Sequence, residues 1–259
     1  MIRTIGIYIY SGILILSTIF KLQKTKNQLK RNPEKVSDEE IFTIPNTIPK
    51  KVIKATGSTI SVKGREKLPD EAVLFVANHQ GLFDILAMLG YLGKPVGFIA
   101  KEEIKKLPIV SDWMELIHCV FIDRGDRRQS MQAIGQGINH LKAGHSMVIF
   151  PEGTRGHGRE LNEFKPGSFR LGTKANVPIV PVTIDGTYPI LEGSNGRIKG
   201  SDISLEIHDP IYPETYQKWK SAELAKNVQG IIGESLETIQ VEEKSYGNVR
   251  EKRMNEEAN

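Results

Sequence analysis

The 259-residue chain reads as an α/β protein: one domain built on a largely buried sheet flanked by helices, behind an N-terminal apolar helix. Three observations predict this. Short apolar runs alternate with helical patterns from about residue 57 to 210. Several of those runs are apolar without interruption, as expected of strands covered on both faces. Hydrophobic residues make up 39% and charged residues 25%, which is ordinary globular composition and excludes wholesale disorder. The length suits a single core.

The N-terminal stretch 4–20, TIGIYIYSGILILSTIF, contains no charge. Arg3 precedes it, and Lys21, Lys24, Lys26, Lys30 and Arg31 follow before the first acid at Glu34. A helix of this length reaches about 25 Å, against a bilayer core of about 30 Å. Spanning and shallow insertion therefore both remain open. The basic flank suits anionic lipid headgroups and, for a spanning helix, places the rest of the chain in the cytoplasm. Residues 1–31 are thus expected to be a membrane anchor. Residues 32–56, with Pro33, Pro45 and Pro49, are expected to be a connector.

Strands are predicted at 72–77, 96–100, 118–122, 146–150, 178–184 and 203–207, and helices at 84–92, 101–117, 128–142 and 167–175. The two prolines of Val177-Pro178-Ile179-Val180-Pro181 predict an edge or irregular strand there. Leu224, Val228, Ile231, Ile232, Leu236 and Ile239 recur at helical spacing over 221–241 and close a domain of residues 57–241. The remaining 242–259 is expected to be a charged, flexible tail.

Charge and cysteine usage narrow the function. The net charge of +4 is too small to imply nucleic acid, and none is expected as a partner. Cys119 is the only cysteine, so intramolecular disulfides, CxxC metal sites and redox pairs are excluded. No metal-ligand set is evident from spacing.

Four motifs carry chemistry. After the first predicted strand comes Asn78-His79-Gln80-Gly81-Leu82-Phe83-Asp84. Five residues separate His79 from Asp84, about 140° on a helix, so only a turn brings the carboxylate back to the imidazole. In that arrangement Asp84 fixes the ring tautomer and leaves the other nitrogen free to take a proton. Read alone, the pair equally fits a helix-capping aspartate beside an ordinary loop histidine. The next two motifs are a strand ending in Phe121-Ile122-Asp123-Arg124, which presents a guanidinium group, and Phe150-Pro151-Glu152-Gly153-Thr154-Arg155, which offers a second one beside a glycine. The fourth is the apolar VPIVP run. Gly144-His145-Ser146 starts like a hydrolase elbow, but Val148 stands at the last glycine and the order is helix to strand.

These four blocks, in this order, resemble the glycerolipid acyltransferases related to bacterial 1-acyl-glycerol-3-phosphate acyltransferase. The matching blocks are NHQGLFD, FIDR, FPEGTR and VPIVP, with further matches at 101–108 and 164–167, covering roughly residues 57–187. The resemblance implies a membrane-bound enzyme. His79 would be the general base and Asp84 its partner. Arg124, Glu152, Gly153, Thr154 and Arg155, with Lys101, would form the phosphate and glycerol site. It also implies no metal or cofactor, an acyl-CoA or acyl-carrier-protein donor, lysophosphatidic acid as acceptor, phosphatidic acid as product, and a site on the cytoplasmic face of the cell membrane. Other acceptors, and a non-catalytic lipid-binding protein, are the alternatives. Two positions depart from the family pattern: Gly81, where Ser or Thr is common, and Asp112, which precedes Trp113 where many members have Gly.

Overall fold

A computed structural model describes residues 1–123 and 125–257, without side-chain detail for Arg127 or for 243–257. Seven strands form one sheet: β1 (Thr59–Lys63), β2 (Leu74–Ala77), β3 (Gly97–Lys101), β4 (Val120–Ile122), β5 (Met147–Ile149), β6 (Ile179–Asp185) and β7 (Asp202–Ile207). Their order is β1-β7-β6-β2-β5-β3-β4, and only the β6–β7 pair is antiparallel. The α/β fold is therefore as the sequence predicts. β2 shows why it reads as uninterrupted apolar sequence, because all four of its residues are buried. Phe75 and Ala77 pack with Ile53, Ala87 and Met88 on one face. Leu74 and Val76 pack with Ala133, Leu171, Val228 and Ile232 on the other. The first layer holds α3 (Asp38–Ala55) and α4 (Leu82–Tyr91); the second holds α6 (Arg127–Lys142), α7 (Arg170–Ala175) and α9 (Ser221–Glu257). Burying each such large apolar side chain contributes roughly 1.5–3 kcal/mol.

Five details differ from the sequence reading. The expected connector is mostly α3, a helix with Pro45 and Pro49 inside it. An interior proline costs about 3 kcal/mol. Here the two prolines lie four residues apart on the buried face with Ile41, Phe42, Val52 and Ile53, so packing offsets that cost. Asn46 adds Nδ2 bonds of 2.8 and 3.0 Å to the carbonyls of Leu89 and Gly90, tying α3 to α4. β1 was missed because its alternate residues are exposed and it pairs only with β7. The helix expected over 101–117 is a 3₁₀ turn (Glu102–Lys106) followed by α5 (Val110–Leu116), interrupted at Pro108. β6 is interior rather than an edge strand. The Pro181 carbonyl accepts from His208 N–H at 3.0 Å, just where the β7 ladder ends, so its missing N–H faces the one stretch of that side that lacks a regular partner. α9 continues past residue 241 without a break. The side chains of the expected tail from 243 onward, and the whole of residues 258 and 259, lie outside the described residues.

At the N-terminus, α1 (Ile2–Ser17) and α2 (Ile19–Arg31) meet at Thr18, whose backbone stays right-handed helical. Ile2–Arg31 is long and apolar enough to cross a bilayer. Its inner side is nevertheless fastened to the domain. Ile7 is buried, the Arg3 guanidinium donates to the Thr56 carbonyl, and Ile198 N–H donates to Thr4 Oγ1 at 2.9 Å. Trp113 Nε1 donates to Thr18 Oγ1 at 3.0 Å, and Lys26 pairs with Asp112 at 2.7 Å. The departure at Asp112 thus serves the anchor rather than the site. On the outer side, Ile2, Ile5, Ile9, Ile13, Leu16 and Phe20 form an exposed row at helical spacing, with Ile2 90% and Phe20 88% exposed. An apolar row beside a basic helix suits a lipid–water interface better than a free-standing span. Replacing Ile5, Ile9 and Ile13 together by Ser should lower binding to anionic vesicles by about tenfold or more in cosedimentation, while the melting temperature of the domain barely changes.

Candidate active site

The site forms where β2 gives way to α4. Asn78 ends β2 by bonding both backbone groups of Ile184 on β6, its Nδ2 to the carbonyl and its Oδ1 from the N–H, each at 2.8 Å. The chain then turns, and Asp84 enters in the first turn of α4. Its Oδ2 lies 2.7 Å from His79 Nδ1 and also accepts from the backbone N–H groups of Gln80 (2.6 Å) and Gly81 (2.8 Å). Its Oδ1 accepts from the Thr187 hydroxyl. Asp84 is fully buried. A buried carboxylate is costly unless it is fully hydrogen-bonded, and this one is. The two readings of Asp84 are therefore one: the same oxygen closes the first turn of the helix and holds the imidazole. Because Asp84 engages Nδ1, the Nε2 of His79 is the nitrogen left for a substrate.

His79 is fixed on its other sides as well. Its ring stacks on Phe150, centroid to centroid at 4.1 Å and 14°. Its backbone N–H donates to Glu152 Oε1 at 2.7 Å, and its carbonyl accepts from Gly156 N–H at 2.7 Å. Glu152 Oε2 accepts from Asn162 N–H (3.0 Å) and Nδ2 (2.9 Å). The FPEGTR block is thus the clamp that holds the base. Glu152 is 2% exposed, and both its oxygens are engaged within the protein.

His79 opens onto a cavity of about 720 Å³. Its lining includes three cations, Arg155, Lys165 and Lys101, with Gly153 and Thr154. It also includes the apolar side chains of Ile85, Phe98, Ile104, Met114 and Ile134. Lys101 is exposed and pairs with Glu103 at 2.5 Å, at the cavity margin. Arg124 lies outside the described residues. Lys165 carries no assigned role in the sequence reading, although its FKPG block matches the family. A Cβ at Gly153 (φ 72°) would lie 2.6 Å from Lys165 Nζ, so glycine there admits the ammonium as well as the turn.

Two further residues escaped the sequence reading because they sit about a hundred positions from the motif they serve. Thr187 is one. Glu192 is the other: its Oε1 accepts from Leu82 N–H (2.8 Å) and from Arg155 (3.1 Å). Its Oε2 is buried without a hydrogen-bond partner among the described residues. A Cβ on Gly81 would lie 2.3 Å from that oxygen. The family's Ser or Thr is absent because Glu192 fills its place. Gly81→Ser should therefore destabilise the protein by about 1–3 kcal/mol in urea denaturation, and by much less when Glu192→Ala is also present; equal penalties in the two backgrounds would contradict the coupling.

Comparisons with known proteins agree with this geometry. The family profile described as Acyltransferase matches residues 59–185. A probable 1-acyl-sn-glycerol-3-phosphate acyltransferase of Mycoplasma pneumoniae is 30% identical over 83% of this chain and 84% of its own length. The 1-acyl-sn-glycerol-3-phosphate acyltransferase of Escherichia coli is 29% identical over 65% of this chain and 69% of its own. The crystal structure of the 1-acyl-sn-glycerophosphate (LPA) acyltransferase from Thermotoga maritima superposes with a TM-score of 0.81 at 28% identity, covering 92% of this chain and 95% of that one. By sequence along most of its length, and by fold along nearly all of it, this chain belongs to the 1-acyl-sn-glycerol-3-phosphate acyltransferase family.

Proposed function

We propose that the protein transfers a fatty acyl group from a thioester donor, acyl-CoA or acyl-carrier protein, to the sn-2 hydroxyl of 1-acyl-glycerol-3-phosphate, giving phosphatidic acid. The observation that carries this reading is a single cavity holding an oriented base, a group of cations and an apolar recess: His79, then Arg155 and Lys165, then Ile85, Phe98 and Met114. The acceptor's phosphate sits with the cations, which places its free hydroxyl near His79. Arginine and lysine suit a phosphate dianion, and desolvation in the cavity strengthens their attraction. The apolar recess takes an acyl chain.

His79 Nε2 removes the hydroxyl proton while Asp84 stabilises the imidazolium that forms. The oxygen attacks the thioester carbonyl, and the tetrahedral intermediate collapses with loss of the thiolate. That leaving group has a pKa near 8.5 and takes the proton back from His79. The thiolate leaves readily, so no enzyme nucleophile is required, and a His–Asp pair suffices without a serine. The exposed apolar row of α1 holds the cavity at the membrane surface, where acceptor and product reside, and the lysines of α2 favour the anionic cytoplasmic leaflet.

Purified protein in detergent or lipid, offered lysophosphatidic acid with palmitoyl-CoA or palmitoyl-carrier protein, should form phosphatidic acid. His79→Ala should lose about 10²–10⁴-fold in kcat while keeping its melting temperature; turnover retained by that variant would sink the base assignment. Arg155→Ala should raise KM for lysophosphatidic acid more than it lowers kcat, with a smaller effect on a phosphate-free lysolipid. An equal loss with both acceptors would remove Arg155 from the phosphate site.

A further inference from the structure

A second cluster of chemically capable side chains lies at the opposite end of the parallel strands. His79 follows the C-terminal end of β2. His118 and His145 precede β4 and β5, which run parallel to β2 within the β2-β5-β3-β4 half of the sheet. These two histidines meet Asp38, the first residue of α3. Asp38 Oδ1 is 3.3 Å from His118 Nε2, and Asp38 Oδ2 is 2.5 Å from His145 Nδ1. The three ligand atoms all lie within 4.8 Å of one another. The two imidazole rings stack at 3.5 Å between centroids and 20° between planes. Each side chain is partly exposed, at 35%, 26% and 25% for Asp38, His118 and His145, and the cluster lines a cavity of about 120 Å³. The backbone is bent to make this meeting. His118 is left-handed at φ 61°, and His145 follows Gly144 at φ 97°. A left-handed non-glycine residue is strained, and strain of this kind collects at functional sites.

We propose that Asp38, His118 and His145 form a binding site for a divalent first-row transition cation of the Zn²⁺ class. Two imidazoles and a carboxylate, without thiolate, suit Zn²⁺, Ni²⁺ or Co²⁺ better than Mg²⁺ or Ca²⁺. Bonds of about 2.0–2.1 Å set tetrahedral ligand atoms roughly 3.3 Å apart. The Asp38–His118 pair already has that separation, the Asp38–His145 pair needs to open by less than about 1 Å, and one of the two stacked rings must turn out of the stack so that both lone pairs meet at the ion. A ligating ring presents the lone pair of the nitrogen that faces the ion, His118 Nε2 and His145 Nδ1, and carries its proton on its other nitrogen. Three protein ligands leave a fourth position for water. Because α3 packs against both α1 and α4, the ion would tie the N-terminal helices to the strands of the domain, well away from His79.

The test uses the full chain, stripped with a chelator and titrated with Zn²⁺ by calorimetry and by thermal shift, and with Co²⁺ by visible absorption. The site predicts one Zn²⁺ per chain, a rise in melting temperature, and tetrahedral Co²⁺ bands. His118→Asn, which tolerates the left-handed backbone, His145→Ala and Asp38→Asn should each weaken binding at least tenfold, while His79→Ala should bind as wild type does. Absence of stoichiometric binding to wild type would overturn the proposal. So would unaltered affinity in the His118, His145 and Asp38 variants, or loss of the ion on replacing His79, which would assign it to the active site.

Discussion

The site depends on how a buried aspartate is satisfied. Asp84 takes four donors, from the His79 ring, two backbone amides and the Thr187 hydroxyl, and none of them is solvent. A carboxylate so enclosed is stable only if every partner stays in place. The requirement reaches outward through the molecule. Asn78 locks the end of β2 to β6, Glu152 and Gly156 hold the His79 backbone, Phe150 carries its ring, and Glu192 holds the start of α4. The motifs that look like four separate pieces in the sequence are one hydrogen-bonded frame around a single imidazole.

In the proposed reaction His79 acts as base without a nucleophile of the protein's own: the frame would supply position and tautomer, the cavity cations for an anionic acceptor and apolar side chains for the acyl chain, and the thioester a good leaving group. Arg155 is engaged by Glu192 through an oxygen shared with the backbone of α4.

Much of the fold was legible in the sequence because a parallel sheet covered on both faces writes itself as apolar runs; five of the seven strands appear that way, and β7 shows as an alternating run. The exceptions follow from physics that a local reading cannot weigh. β1 is half exposed, and α3 keeps its helix through two prolines because their face is buried. Pro181 sits inside the sheet because its absent N–H points past the end of a ladder. In the site, the motif blocks that carry His79, Gly153, Thr154 and Arg155 were visible in the sequence, and the fold brings these residues to one cavity with Asp84 bonded to His79. Glu152 was visible too, but its burial and its bonds to the His79 and Asn162 amides were not. Thr187, Glu192 and the Asp38–His118–His145 cluster were invisible, because only the folded chain brings together residues that lie 80 to 110 positions apart.

In the proposed reaction the acceptor's oxygen attacks the thioester directly, with His79 as base and no acyl group ever carried by the protein. Intact-mass spectrometry of the protein, mixed with excess palmitoyl-CoA in the absence of acceptor and quenched over seconds to minutes, tests this. Direct attack leaves the protein mass unchanged at every time, with acyl transfer beginning only when acceptor is added. A mass increase of one palmitoyl group that forms rapidly and is discharged by adding lysophosphatidic acid would contradict it, and would place a covalent intermediate on the path.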